Sequence, residues 1–218
     1  RVLFRSNDYP GQSGHIHLSL RHQDGDRSAF YDPDKALTMS DAQRYFIGGQ
    51  QRLMPELLAM VASTVNAYTR LVPGFWAPTH ATWGCENRTT ALRVIPGSDA
   101  SQRVEYRVGP ADANPYLALS AALASGLYGI ANKIEPEAMI EGNAYDQTHA
   151  DTLSLPVSLA EAAARLRQSS IARELFGSAF VDHFAASRVW EAAECRKHVS
   201  DWELARYFSN SVFIISCK

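Results

Sequence analysis

The sequence predicts an α+β fold, with short strands and helices mixed in its first half and helices almost throughout its second. Three observations carry this. From about Gly11 to Arg107, β-like alternation is interleaved with helix-period segments. Beyond Asn114 the apolar spacing is helical nearly to the end. Apolar residues make up 46% and charged residues 20% of the 218, the balance of a globular domain rather than a disordered or fibrous chain.

Each element follows from local chemistry. His15-Ile-His-Leu-Ser-Leu20 alternates as a half-buried strand, and Asp24-Gly25-Asp26 signals the turn after it. Ser40 stands as N-cap of a helix whose apolar face is Tyr45, Phe46, Leu53, Leu57, Leu58 and Val61. Pro55 is expected to divide or kink that helix. Thr89–Ile95 and Gln102–Val108 read as strands. Asn114-Pro115 opens a helix, since proline suits a first turn, and Leu117–Ile130 continues it with small residues that permit close packing. Asn143–Ser154 reads as a polar connecting loop. Ser158 caps Leu159–Gln168, a longer helix runs from about Ser178 to His198, and Ser200-Asp-Trp-Glu203 has capping-box spacing. Residues 1–8 and 209–218 match neither neighbouring pattern and read as tails, leaving one domain over 9–208.

Composition excludes several roles. With 21 basic and 23 acidic residues the formal charge is −2, which argues against a nucleic-acid binder driven by bulk charge. No apolar run approaches the ~20 residues that span a bilayer, so no membrane partner is expected. The first residues lack the apolar core of a signal peptide. Cys85, Cys195 and Cys217 are far apart and odd in number, pointing to a reducing, cytoplasmic setting rather than a disulfide scaffold.

Four clusters could carry chemistry. His15-x-His17, beside Gly11-x-x-Gly14, puts two imidazoles on one strand face, suited to metal or phosphate contact or simply to an exposed polar face. Arg103-x-Glu105-x-Arg107 places two guanidiniums and a carboxylate on one face, either a surface ion-pair ladder or a cleft lining, while Val104, Tyr106 and Val108 pack behind. Arg88 and Arg93 are five apart and can serve one site only if Arg88 sits on the loop before its strand. Arg70 leads into Leu71-Val-Pro-Gly-Phe-Trp76, either a connecting turn or a lid. Five arginines suit a ligand with several negative charges, because guanidiniums bind carboxylate and phosphate bidentately. Mixed His and Glu donors suit a divalent ion. A nucleotide plus an acidic substrate is the economical composite, bound by neither a P-loop nor a Rossmann fingerprint.

Five stretches in this order resemble the catalytic domain of the glutamine synthetase family: Ser13–Leu20, Asn66–Pro78, Glu86–Val94, Arg103–Ile130 and His198–Phe208. The resemblance implies an antiparallel sheet forming the floor of an active-site funnel, backed by helices. It implies ATP-dependent ligation of glutamate to ammonia or another amine through γ-glutamyl phosphate, with Mg²⁺ or Mn²⁺. Carried over residue by residue, His15 and Glu105 match metal ligands, and His17, Ser19, Arg93 and Arg103 match nucleotide contacts. Arg70 and Arg107 match the arginines that hold the amino acid, and Arg88 the one that stabilises the transferring phosphoryl group.

The chain also departs from the family pattern. Trp76 stands where ammonia-using members carry a glutamate on the flap. An indole cannot act as a base but can pack an alkyl amine or offer a cation–π face, which favours a larger amine such as a polyamine. The family's small β-grasp domain and further metal-binding glutamates precede the matched region, so this stretch is expected to hold part of each metal site. Ser98–Gln102 lacks the basic residue usual ahead of the Arg103 strand, and Pro10 replaces a polar residue. Family members assemble as homo-oligomers with sites between subunits. The competing reading is a non-catalytic relative that binds nucleotide or assembles structurally.

Overall fold

A computed structural model describes residues 13–23, 25 and 27–208. The expected tails, Pro10, Gly11 and the two aspartates of the Asp24–Asp26 turn lie outside the described residues. Four strands form one sheet: β1 (Ile16–Leu18), β2 (Trp83–Cys85), β3 (Leu92–Ile95) and β4 (Arg103–Tyr106), in the order β1-β4-β3-β2. The α+β class holds. The sheet, expected to be antiparallel, is mixed: β4 runs antiparallel to β1 and β3, but β2 is parallel to β3. These strands are only three or four residues, roughly 10 Å long, so the short loop between Cys85 and Leu92 suffices to bring the chain back.

Helix α1 (Asp41–Val61) starts where its cap predicts, with the Ser40 hydroxyl accepting from the Gln43 N–H. The break expected at Pro55 does not occur, and α1 runs through it. Leu53, Met54, Leu57 and Leu58 are fully buried on both sides of the proline. Their burial outweighs the ~3 kcal/mol that an interior proline costs. Helix α2 (Pro115–Asn132) is capped by Asn114, whose side chain accepts from the Tyr116 and Leu117 amides. The small residues do bring the two helices together. A β-carbon at Gly49 would stand 2.2 Å from the Ser125 carbonyl oxygen and 2.6 Å from the Gly129 nitrogen. Across the same seam Gln50 donates to the Ala122 carbonyl at 2.9 Å.

Helix α3 (Leu159–Gln168) packs on α1 and α5 (Ser178–Cys195) packs on α3, with α4 (Ser170–Phe176), which the sequence reading missed, joining them. Ser169 ends α3 and caps α4 through the Ala172 amide, so one serine both stops and restarts the helix. A final short helix, α6 (Asp201–Glu203), carries the reciprocal Ser200–Glu203 capping box and continues as a wider turn over Leu204–Phe208. The stretch read as a loop over Asn143–Ser154 has its own structure: two 3-10 turns, Ala144–Asp146 and Asp151–Leu153. Its end pairs with the chain near His80, through Ala81 N–H to Leu153 O (2.7 Å) and Leu155 N–H to Thr79 O (3.0 Å). Among the described residues no helix is long and apolar enough to cross a membrane.

Candidate active site

Strand register builds the site. His17 pairs with Glu105, and Glu105 pairs with Arg93 across β4 and β3. Side chains alternate along each strand, so His15, His17, Arg93, Arg103, Glu105 and Arg107 share one face of the sheet. The other face carries Val104, Tyr106, Leu92 and Val94, all buried in the core. Ser19 lies just past the end of β1, in phase with His15 and His17, and is exposed.

Glu105 is the hub. Its carboxylate is 3% exposed as a residue and takes Arg107 at 3.0 Å, Arg93 at 3.1 Å and His15 Nδ1 at 2.7 Å. His17 Nε2 stands further off, 3.9 Å from the same oxygen as His15. Burial pushes the Glu105 pKa up. The Arg107 charge, the Arg93 hydrogen bond and His15 together outweigh it and hold the carboxyl below the usual carboxylate range. His15 is held below the ordinary imidazole value, by partial burial first and then by the Arg107 charge, against the pull of Glu105. Its Nδ1 faces Glu105, so the neutral tautomer protonated there presents Nε2 as a lone pair.

Arg93 bridges Glu105 and Glu86, and Glu86 adopts a left-handed backbone (φ 50°) beside it. Burial works against the Arg93 charge, yet these two carboxylates hold its pKa above the ordinary value. The condition set for Arg88 is met: it lies on the loop before β3, exposed and free of ion pairs among the described residues, and its carbonyl accepts from Arg107 at 3.0 Å. A cavity of about 400 Å³ brings His15, Trp76, Arg88, Arg93, Glu105 and Arg107 together. Arg103 and His17 lie further along the same face, joined by a 3.3 Å hydrogen bond from Arg103 Nε to His17 Nδ1.

Arg70 is placed differently. It ends a 3-10 turn, Val65–Arg70, and is buried behind the cavity, where its guanidinium donates to the carbonyls of Arg107 and Val108 at 3.0 and 3.1 Å. It thereby fixes the backbone from which Arg107 projects. Beyond it, the Pro73–Trp76 turn carries Gly74 and Trp76 in left-handed conformation (φ 85° and 56°), and Trp76 is 62% exposed over the cavity mouth.

The sequence reading missed Tyr145, Asn143 and the segment from Met139 to Gly142, which wall the site beside Trp76. Asn87 holds this segment by donating to the Ile140 and Gly142 carbonyls, and Trp83 Nε1 holds its start through Glu137 O at 2.6 Å. The only local signal was Gly142-Asn143, a turn pair, and it does not say what the turn faces.

The resemblance implies a divalent ion beside this donor set. Mg²⁺ and Mn²⁺ favour several oxygen ligands. Among the described residues Glu105 supplies the only carboxylate paired with His15, and both its oxygens already face guanidiniums. Among the described residues no group of three or more His, Cys, Asp and Glu side chains is arranged to hold a metal ion. His15 and Glu105 alone do not fit such an ion.

Comparison with known proteins agrees with the motifs. The family described as "Glutamine synthetase, catalytic domain" matches residues 5–207. Type-1 glutamine synthetase 2 of Dictyostelium discoideum is 45% identical over 202 residues, 92% of this chain and 39% of that protein. Glutamate–isopropylamine ligase of a Pseudomonas species is 40% identical, over 93% of this chain and 44% of its own. Gamma-glutamylethanolamide synthetase GlnA4 of Streptomyces coelicolor is also 40% identical, over 94% and 43%. The chain thus spans less than half the length of these curated relatives. With the family matched from residue 5 to 207 and the guanidinium-rich sheet face in place, the chain belongs to the glutamine synthetase catalytic-domain family.

Proposed function

We propose that this chain forms the catalytic part of an ATP-dependent ligase that joins the γ-carboxylate of glutamate to an organic amine. The observation that carries the reading is the cluster of Arg88, Arg93 and Arg107 around one buried carboxylate in a single open cavity. A γ-carboxylate oxygen attacks the γ-phosphorus of ATP and ADP leaves, giving γ-glutamyl phosphate. The amine nitrogen then attacks the acyl carbon, phosphate departs with one proton from the amine, and an amide remains. Charge builds on the equatorial phosphoryl oxygens in the first step, where positioned cations act most strongly. Arg88, exposed and without an ion pair among the described residues, is the group available for that role. Arg93, Arg103, His17 and Ser19 track the nucleotide along the sheet face. Arg107, its backbone held by Arg70, faces the amino acid. His15 and Glu105 would contribute two donors to a Mg²⁺ or Mn²⁺ site completed by other ligands.

Trp76 supports an organic amine over ammonium, since the indole offers no charge to attract ammonium and no base to deprotonate it. Two relatives, one named for joining glutamate to isopropylamine and one for making γ-glutamylethanolamide, favour the same reading. A cytoplasmic homo-oligomer is part of this proposal, supported by family membership and by the free Cys85 and Cys195.

The test is phosphate release from ATP by the protein at its native length, with glutamate and a panel of amines. Release should depend on the amine and fall roughly 10²- to 10³-fold in Arg88→Ala, as for removal of a transition-state charge partner. ATP binding without amine-dependent release would replace the ligase by the nucleotide-binding relative.

A further inference from the structure

Trp76 is shared between the arginine cavity and a second cavity of about 410 Å³, lined by Gly74, Trp76, Thr89, Gly142, Asn143 and Tyr145. The two differ in charge. The first is lined by Arg88, Arg93, Arg107 and Glu105, whereas none of the six residues lining the second is ionised at neutral pH.

The wall is built from parts tied to the reacting site. Tyr145 donates its hydroxyl to the Ala77 carbonyl (3.3 Å), at the root of the Trp76 turn. The Ala144 amide donates to Thr89 Oγ1 (2.9 Å), and that hydroxyl donates to Asn87 Oδ1 (2.6 Å), next to Arg88. Asn87 donates in turn to the Gly142 carbonyl (2.7 Å), and Asn143 is bonded to the Tyr145 amide and to Asp146. The polar groups of the wall are therefore largely spent on one another, and ring surface from Trp76 and Tyr145 is left to face the space. Tyr145 also lies within the field of Arg107 and Arg70, so the cavity opens beside the arginines and not at a distance from them.

We propose that this second cavity receives the organic substituent of the acceptor amine and selects one that is short and uncharged, with Tyr145 and Trp76 as its specificity-determining residues. The proposal rests on the ligase reading and adds the class of amine to it. A nitrogen attacking an acyl phosphate in the arginine cavity directs its substituent toward Trp76, the one wall common to both spaces. The six residues lining this cavity include no carboxylate to meet a second ammonium; Glu141 lines the adjoining cavity instead. Asp146 is bonded to Asn143, Glu86 is bonded to Arg93, and the surrounding guanidiniums repel that ammonium. The polyamine expected from Trp76 alone thus gives way to a monoamine. Burial of each methylene against the rings should improve kcat/KM roughly fourfold.

The experiment measures phosphate release with methylamine, ethylamine, propylamine and 1,3-diaminopropane, with ATP and glutamate saturating, for wild type, Tyr145→Phe and Tyr145→Ala. Expected is a rise along the three monoamines, with the diamine below propylamine. Tyr145→Phe should keep the series and Tyr145→Ala should flatten it. A flat wild-type series, or a diamine equal to or better than propylamine, overturns the proposal even if Tyr145→Ala does not fold. Saturation-transfer NMR of propylamine needs no turnover and separates the two readings. Transfer from wild type that is lost in Tyr145→Ala keeps the cavity assignment even where no amine releases phosphate and the ligase reading has failed. No transfer from wild type, with or without turnover, removes it.

Discussion

Glu105 is one carboxylate facing two guanidiniums and an imidazole with almost no water to share the load. Taking its charge away leaves Arg107 without its carboxylate in a dry setting and Arg93 with Glu86 alone, which is costlier than losing an exposed pair. Glu105→Gln should lower folding stability by about 3 kcal/mol in urea unfolding, whereas Lys197→Gln, which loses only an exposed i,i+3 pair, should change it negligibly. Trp76 shows strain of another kind. A non-glycine residue at φ 56° costs roughly 1–2 kcal/mol, and holding an exposed indole there points to a site use rather than a core use. His80 supplies a pH dependence away from the site. Its imidazole packs against that of His149 at a tilt of 55°, ring centroids 5.0 Å apart, and contacts Thr79 and Ser154. Its pKa is depressed below 6.5, by burial first and then by the His149 charge, with Asp151 opposing. The unfolded chain therefore takes up this proton first as pH falls. Its contribution is complete above about pH 6.5 and is lost below it, through the folded pKa. Melting temperature should drop more steeply between pH 7.5 and 5 in wild type than in His80→Gln.

Among elements, the α1–α2 seam is the least tolerant, because backbone meets backbone with no side chain to yield. Gly49→Ala should cost about 3 kcal/mol, checked by urea unfolding, since its methyl group has only the α2 main chain to push against. The elements also differ in how far they could be read ahead. Ser40, Asn114, Ser158 and Ser200 each cap the helix expected of them, because a cap is a bond between residues two or three apart. Strand ends were drawn too long. Where Thr89–Ile95 was expected, β3 begins only at Leu92, since pairing with β2 and β4 decides the limit. Trp83-Gly84-Cys85 has no alternation to reveal β2 at all.

For the whole molecule, His15 with His17 on one strand's face, and Arg103, Glu105 and Arg107 on another's, were legible because period two is a property of the chain itself; that the two strands turn these faces the same way required the β1–β4 register. That Arg93 lies opposite Glu105 required the β3–β4 register, and that Tyr145 walls the site required contacts 55 to 68 residues apart in sequence. Neither leaves a local trace. The site is thus assembled from a rigid part, β3 and β4 over the core, and a peripheral part. Among the described residues β1 pairs with β4 alone, and its Ile16 and Leu18 are only half-buried. Opening β1 breaks three residues of pairing and little apolar contact, so its amides should exchange with solvent deuterium well before those of β3 and β4. Each such excursion carries His15 away from Glu105 while leaving the carboxylate clamped between Arg93 and Arg107. The imidazole and guanidinium sides of the same charge therefore belong to different cooperative units, and the donor pair assembles and dissolves on a clock independent of global unfolding.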